Sequence, residues 1–205
     1  MKHTKIEASR FLVSAPSVVV HAVLLRQLPI LMTTLSHIRL CFSDPGPDHR
    51  DPETAIRIGF EEPSAPNLTH EYAGTLTFSA YVPRTAVAVT GWVAGGGEQN
   101  GAISSELEKS VFGMEPAIRM SSLSTAQATM KTMRLAGVLP DIIGRKDPAL
   151  RRLDETSGFV QRPLWLSYAP SADNREDRAT VLSWIRACIS ESAWLNASGV
   201  FTRPN

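Results

Sequence analysis

The sequence predicts an α/β chain with a largely parallel sheet. Short apolar runs of strand length recur along it, and segments with apolar residues at helical spacing separate them. No repeat of fixed period and no low-complexity tract interrupts that alternation. With 205 residues, the chain can bury a real core as one domain or as two small ones.

Arg10 to Ser14 reads as the first strand, closed by Pro16. Ser17 then stands where a helix N-cap belongs, and Leu24, Leu28, Leu31 and Leu35 recur at helical spacing. Pro29 inside that segment predicts a kink or an early break, because it has no N–H and its ring clashes with the preceding turn. His37 to Phe42 is the second strand. The loop "SDPGPDHRDPE" follows, with its prolines and no helical period. Thr54 to Phe60 is the third strand, with Ile56 and Ile58 inward and Arg57 pointing the other way.

"TLTFSAYV" is a strand of mixed polarity, and "AVAVTGWVAGGGEQNG" is a strand running into a glycine-rich turn. After a short strand from Ala117 to Met120, Ser124 to Leu135 form a helix with Ala126, Met130 and Met133 on one face. Gly137 is expected to stop that helix, Val138 and Leu139 to extend, and Pro140 to block continuation. Leu150 to Leu153 is another short strand and "RPLWLSYAP" the last long one. "DNREDRATVLSWIRACI" is the last helix, with Val181, Ile185, Cys188 and Ile189 inward. The tail after Trp194 lacks periodicity and should be loosely held.

Composition excludes several classes of function. Apolar residues make up 43% and charged residues 20%, and Lys+Arg 21 against Asp+Glu 20 leaves a formal charge of +1. That balance lacks the basic excess by which DNA-gripping surfaces supply their affinity. The N-terminal "FLVSAPSVVVHAVLL" is interrupted by Ser14, Pro16, Ser17 and His21, and no Ala-x-Ala cleavage site follows. Export is therefore not expected, and a cytoplasmic location is. Cys41 and Cys188 are read as two buried thiols in a reducing compartment. The alternative, a redox pair, requires Cα atoms within about 7 Å.

Motifs for chemistry are scarce. The five histidines have neither HExxH nor HxH spacing, and the acidic loop with Asp44, Asp48, His49 and Asp51 lacks EF-hand spacing. No metal or cofactor is expected. "GGGEQNG" lacks the G-x-G-x-x-G spacing and any following Gly-Lys-Ser/Thr. No G-x-S-x-G elbow is found, and the chain is not expected to be an enzyme. The positions that stand out are Ser17 and the group Ser122, Ser124 and Thr125. Each opens a helix directly after a strand, where free N–H groups and a hydroxyl can meet an anion. The competing reading is that these hydroxyls only cap their helices.

Several stretches in order resemble the effector-sensing domain of LysR-type transcriptional regulators. "RFLVSAPSVVVHAVLLRQLPIL" and "HIRLCF" are similar to its opening strand, helix and second strand, and "TAIRIGFEEP" to its apolar-Arg strand and turn. "SSLSTAQATMKTMRLAGVLPDIIGRKDPALRRL" resembles its strand, helix, glycine and Leu-Pro segment, and "RPLWLSYAPSADNREDRATVLSWI" its return strand and final helix. The order and spacing agree from about residue 6 to 190. Two departures are visible: the helix between the second and third strands is missing, and Thr54 stands near the usual aspartate. No stretch resembles the family's winged helix-turn-helix, so DNA would be contacted only through such a domain, absent from this sequence.

The resemblance implies a periplasmic-binding-protein-like fold of type 2, with two α/β subdomains joined by two crossover strands. Subdomain I is expected at 1–76 plus 169–205 and subdomain II at 77–163, with the return crossover at 164–168 and the outward one at Leu76 to Val82. A small-molecule effector, anionic groups included, would bind in the cleft between them. The resemblance carries over Ser17, Val18, Ser43, Gly95, Gly96 and Ser122 as effector-binding positions. It also implies a homodimer in which the first helix pairs with the second-subdomain helix of a partner copy, and so transcription regulation. The alternative on the same fold is a solute-binding protein of a transport system.

Overall fold

The computed structural model describes residues 9–45, 55–95, 107, 109–153, 158–170 and 175–197, apart from the side chains of residues 175 and 193–197. The chain divides into two compact units, Met1–Gly74 with Pro163–Glu191 and Thr75–Arg162 with Ser192–Asn205. Two long strands, Thr69–Pro83 and Val160–Tyr168, run through both units. This is the α/β, type 2 periplasmic-binding-protein-like fold.

In the first unit the strand order is β2-β1-β3-β9. β1 (Arg10–Ser14) lies parallel to β2 (Arg39–Ser43) and β3 (Ile56–Gly59), and β9 (Val160–Tyr168) is antiparallel to β3. Phe11, Val13, Ile56 and Ile58 are buried while Arg57 is exposed, the period-2 alternation expected of a strand with one covered face. The first helix, α1, opens as Ser17–Val19 and widens into a π-helix over Val20–Leu24. A turn separates it from α2 (Leu28–Thr34), at a bend of 75°. Pro29 sits in the first turn of α2, where a missing N–H costs nothing, so the proline starts a new helix instead of kinking one. The last helix, α5 in order of appearance (Arg175–Ala197), buries Val181, Ile185, Cys188 and Ile189 as expected, together with Trp184. Trp184 Nε1 donates to the Gln27 carbonyl over 3.1 Å and so fixes the turn between α1 and α2.

In the second unit the order is β4-β7-β5-β6, with β8 on β4. β4 (Thr69–Pro83) is antiparallel to β7 (Ala136–Pro140) and β8 (Leu150–Arg152). β5 (Trp92–Gly95) is parallel to β6 (Ile118–Met120) and β7. Two helices here are α3 (Leu123–Met133) and the short α4 (Asp141–Gly144). Trp92 stacks on Phe112, with ring centroids 4.8 Å apart, above a core of Val82, Ala94 and Ala136.

Several expectations are corrected. The strand read from Ala86 onward begins only at Trp92. Pro83 closes β4 with a turn in which its carbonyl takes the Ala86 N–H, and Val87 is left in solvent, tertiary context overriding its β propensity. Ser17 is the first helical residue, not the cap, because Pro16 takes the extended backbone that precedes the helix. Met133, expected inward, is exposed, whereas Ala126 and Met130 face the core. Gly137 does not end α3. Arg134 does, in the left-handed conformation at φ 56°, with its N–H on the Met130 carbonyl. Cys41 is exposed on β2 and only Cys188 is buried, where desolvation pushes its thiol up to about 12. The helix expected to be missing between β2 and β3 falls on residues 46–54, which lie outside the described residues. Among the described residues no single helix is long and apolar enough to cross a membrane.

Candidate functional site

In the first unit the sheet brings three of the chosen positions together. β1 and β2 run in register so that Ser14 pairs with Ser43, and the Ser43 carbonyl accepts the Ala15 N–H at 2.9 Å. Ser43 therefore stands next to the chain entering α1, beside Ser17 and Val18. The Ser43 hydroxyl oxygen is buried and meets no hydrogen-bond partner among the described residues. Val18 is 2% exposed, so its side chain belongs to the core and only its backbone is placed to meet a ligand.

At this opening the Ser17 N–H donates to Oδ1 of Asp44 over 2.9 Å. The chain's own carboxylate thus takes the place where the sequence reading expected a ligand's anion, and the helix dipole favours it there. Pro16 has no side-chain donor or acceptor, so Asp44 does from outside the helix what an N-cap residue would otherwise do. The reading missed this role for Asp44, although a carboxylate directly after the second strand was a visible signal.

In the second unit Gly95 and Ser122 also lie near each other. Gly95 ends β5 opposite Met120, and Ser122 caps α3 two residues beyond. A Cβ on Gly95 would sit 2.7 Å from the Ala126 Cβ, so this glycine is required for α3 to pack against the strand. Ser122 Oγ accepts the Thr125 N–H at 3.2 Å and lies 2.8 Å from Thr125 Oγ1 and 3.2 Å from Ser124 Oγ. Thr125 Oγ1 lies 2.9 Å from the Ser122 carbonyl, to which it can also donate. The cap is thus built, and a hydroxyl cluster stands at its mouth. Gly96 lies outside the described residues.

Hydrogen-bonding groups at strand ends and helix openings suit recognition of a polar small molecule. Among the described residues no group of three or more His, Cys, Asp or Glu could hold a metal ion.

Comparison with known proteins defines the class of fold. No family model and no curated sequence matches the chain. The likeness is to solved structures, and it shows the fold of the regulatory domain of LysR-type regulators. One is the full-length virulence activator AphB of Vibrio cholerae, a member of that family, at a TM-score of 0.64 and 12% identity over 90% of this chain and 70% of that one. The effector domain of AmpR from Pseudomonas aeruginosa matches at 0.63 and 12% over 93% and 100%. The regulatory domain of HypT from Salmonella typhimurium, with bromide bound, matches at 0.66 and 8% over 91% and 99%.

Proposed function

We propose that the chain is the effector-sensing regulatory domain of a LysR-type transcriptional regulator, which binds a small molecule and passes the signal through a dimer to DNA-binding domains. The observation that carries this reading is the likeness to regulatory domains of that family over nearly the whole chain, with helices opening directly from strand ends in each unit. The effector is held by the groups at these openings, Ser17, Val18 and Ser43 in one unit and Gly95 and Ser122 in the other, and Gly96 of the expected set lies outside the described residues. A ligand shifts such a domain only through unequal affinity for its states, and hydrogen bonds from both units provide that inequality.

Asp44 refines the ligand class. A carboxylate ligand meets a carboxylate at the Ser17 opening, so the reading favours an effector with a neutral or cationic group there and an anionic group, if any, at Ser122. Dimerisation rests on exposed apolar residues of the helices, Ile30 at 62% and Met133 at 56%.

The test is a metabolite library read by thermal shift, followed by calorimetry of each hit on Ser17→Ala and Ser122→Ala. Binding raises the melting temperature by mass action, and each variant is expected to weaken the hit at least several-fold while remaining folded. Unchanged affinity in both variants would sink the site assignment.

A further inference from the structure

The stripe by which α5 faces the core begins with a charge. Arg178 is 6% exposed and lies one helical turn before Val181 and Leu182. Its Nε and Nη2 are buried and meet no acceptor among the described residues. The guanidinium carbon sits over the Tyr168 ring, 5.6 Å from its centroid. A ring below the guanidinium plane attracts the charge but leaves the in-plane N–H donors uncommitted.

Among the described residues, Asp177, Glu71 and Arg186 nearby are already engaged. Asp177 faces the His37 ring, with Oδ1 3.0 Å from Nε2. Arg186 donates to Glu71 at 2.7 Å and to the Tyr168 hydroxyl at 3.1 Å, so the phenol oxygen is taken as well. Buried guanidinium groups are ordinarily paired and hydrogen-bonded, because an unmatched charge loses its hydration without return. Burial holds the Arg178 pKa below its usual value, and an arginine guanidinium is in general charged in proteins.

We propose that Arg178 is the recognition group of an oxyanion site in the first unit, made by its uncommitted donors above the Tyr168 ring and distinct from the helix openings of the proposed effector site. The ligand class is a compact oxyanion, a carboxylate or a tetrahedral phosphate or sulfate, whose paired oxygens match the fork of guanidinium donors.

The test is the melting temperature of the whole chain titrated with sodium phosphate, sodium sulfate or sodium acetate, at an ionic strength held constant with sodium chloride. At least one of these is expected to give a saturable rise of several degrees over chloride. Acetate alone would mark a carboxylate ligand, and phosphate or sulfate alone a tetrahedral one. Arg178→Met, which keeps the length of the side chain without its charge, is expected to abolish the rise. Arg178→Lys, which keeps the charge without the fork, is expected to reduce it. The proposal is overturned if the unaltered chain responds no more to any oxyanion than to chloride, or if Arg178→Met responds equally. If Arg178→Met does not fold, the titration of the unaltered chain and its comparison with Arg178→Lys decide, an equal response in the two overturning it.

Discussion

The Ser17 N–H donates to Oδ1 of Asp44 across 27 positions of chain, so the opening of α1 carries its own carboxylate. The bond joins the end of β2 to the start of the first helix. It makes this opening a different electrostatic site from a bare helix end.

Asp44→Ala is therefore expected to lower stability by about 1 kcal/mol, the usual worth of a lost helix cap, read as a drop in the urea midpoint. The same variant separates ligand classes in calorimetry. An effector that brings a carboxylate to Ser17 binds it more tightly than the parent, and one that brings a cation binds it more weakly.

Arg134 and Gly137 give a paired prediction. Arg134 holds a left-handed conformation that costs a side-chain-bearing residue about 1–2 kcal/mol. Arg134→Gly is expected to raise stability by about 0.5–1 kcal/mol, since glycine is favoured at this cap. Gly137→Ala should do the reverse, by about 1–3 kcal/mol, as overpacking does. Its Cβ would lie 2.7 Å from the Met130 sulfur and 3.1 Å from the Val93 carbonyl oxygen. Equilibrium urea unfolding of both variants measures each sign.

Tyr81 gives the pH dependence. Its hydroxyl donates to Oδ1 of the buried Asp141 at 3.0 Å, and Asp141 also pairs with Arg145. Burial first, and then the Asp141 carboxylate, push the phenol pKa well above its usual value near 10. The unfolded chain therefore loses this proton at a lower pH than the folded one. The associated stability is complete below about pH 10 and is lost progressively as pH rises above that value. Tyr81→Phe is expected to cost about 1.5–3 kcal/mol at neutral pH and to flatten the alkaline decline, both readable from urea midpoints between pH 7 and pH 11.

The proposed dimer is tested at the exposed apolar groups of two helices. Ile30→Glu on α2 and Met133→Glu on α3 are each expected to shift a dimer toward monomer in sedimentation velocity, without loss of helical circular dichroism. Both sites are exposed, so the change in monomer stability stays within about 0.5 kcal/mol.

The strands and helices were largely legible because burial imposes a period on the sequence. Ile56, Arg57 and Ile58 alternate as one covered strand face requires, and Val181, Ile185, Cys188 and Ile189 mark the inner stripe of α5. Of the candidate site, the openings at Ser17 and Ser122 could be read from a strand, a polar residue and a helical run in succession. Their partners could not be read, because the bond from Ser17 to Asp44 joins segments that meet only through the register of β1 with β2.

By itself, then, the sequence determined the alternation of strands and helices, the break near Pro29 and the places where helices open. All three are written in local chemistry: hydrophobic period, a missing N–H, a polar residue at a boundary. Tertiary structure alone decided that Arg134 rather than Gly137 ends α3, that Gly95 and Gly137 exist for close packing, and that Asp44 fills the first helix opening. It also decided that Nε and Nη2 of Arg178 are buried without an acceptor among the described residues. Each of these depends on which distant atom arrives within about 3–4 Å, and that is set by the register of the sheet and the seating of helices on it.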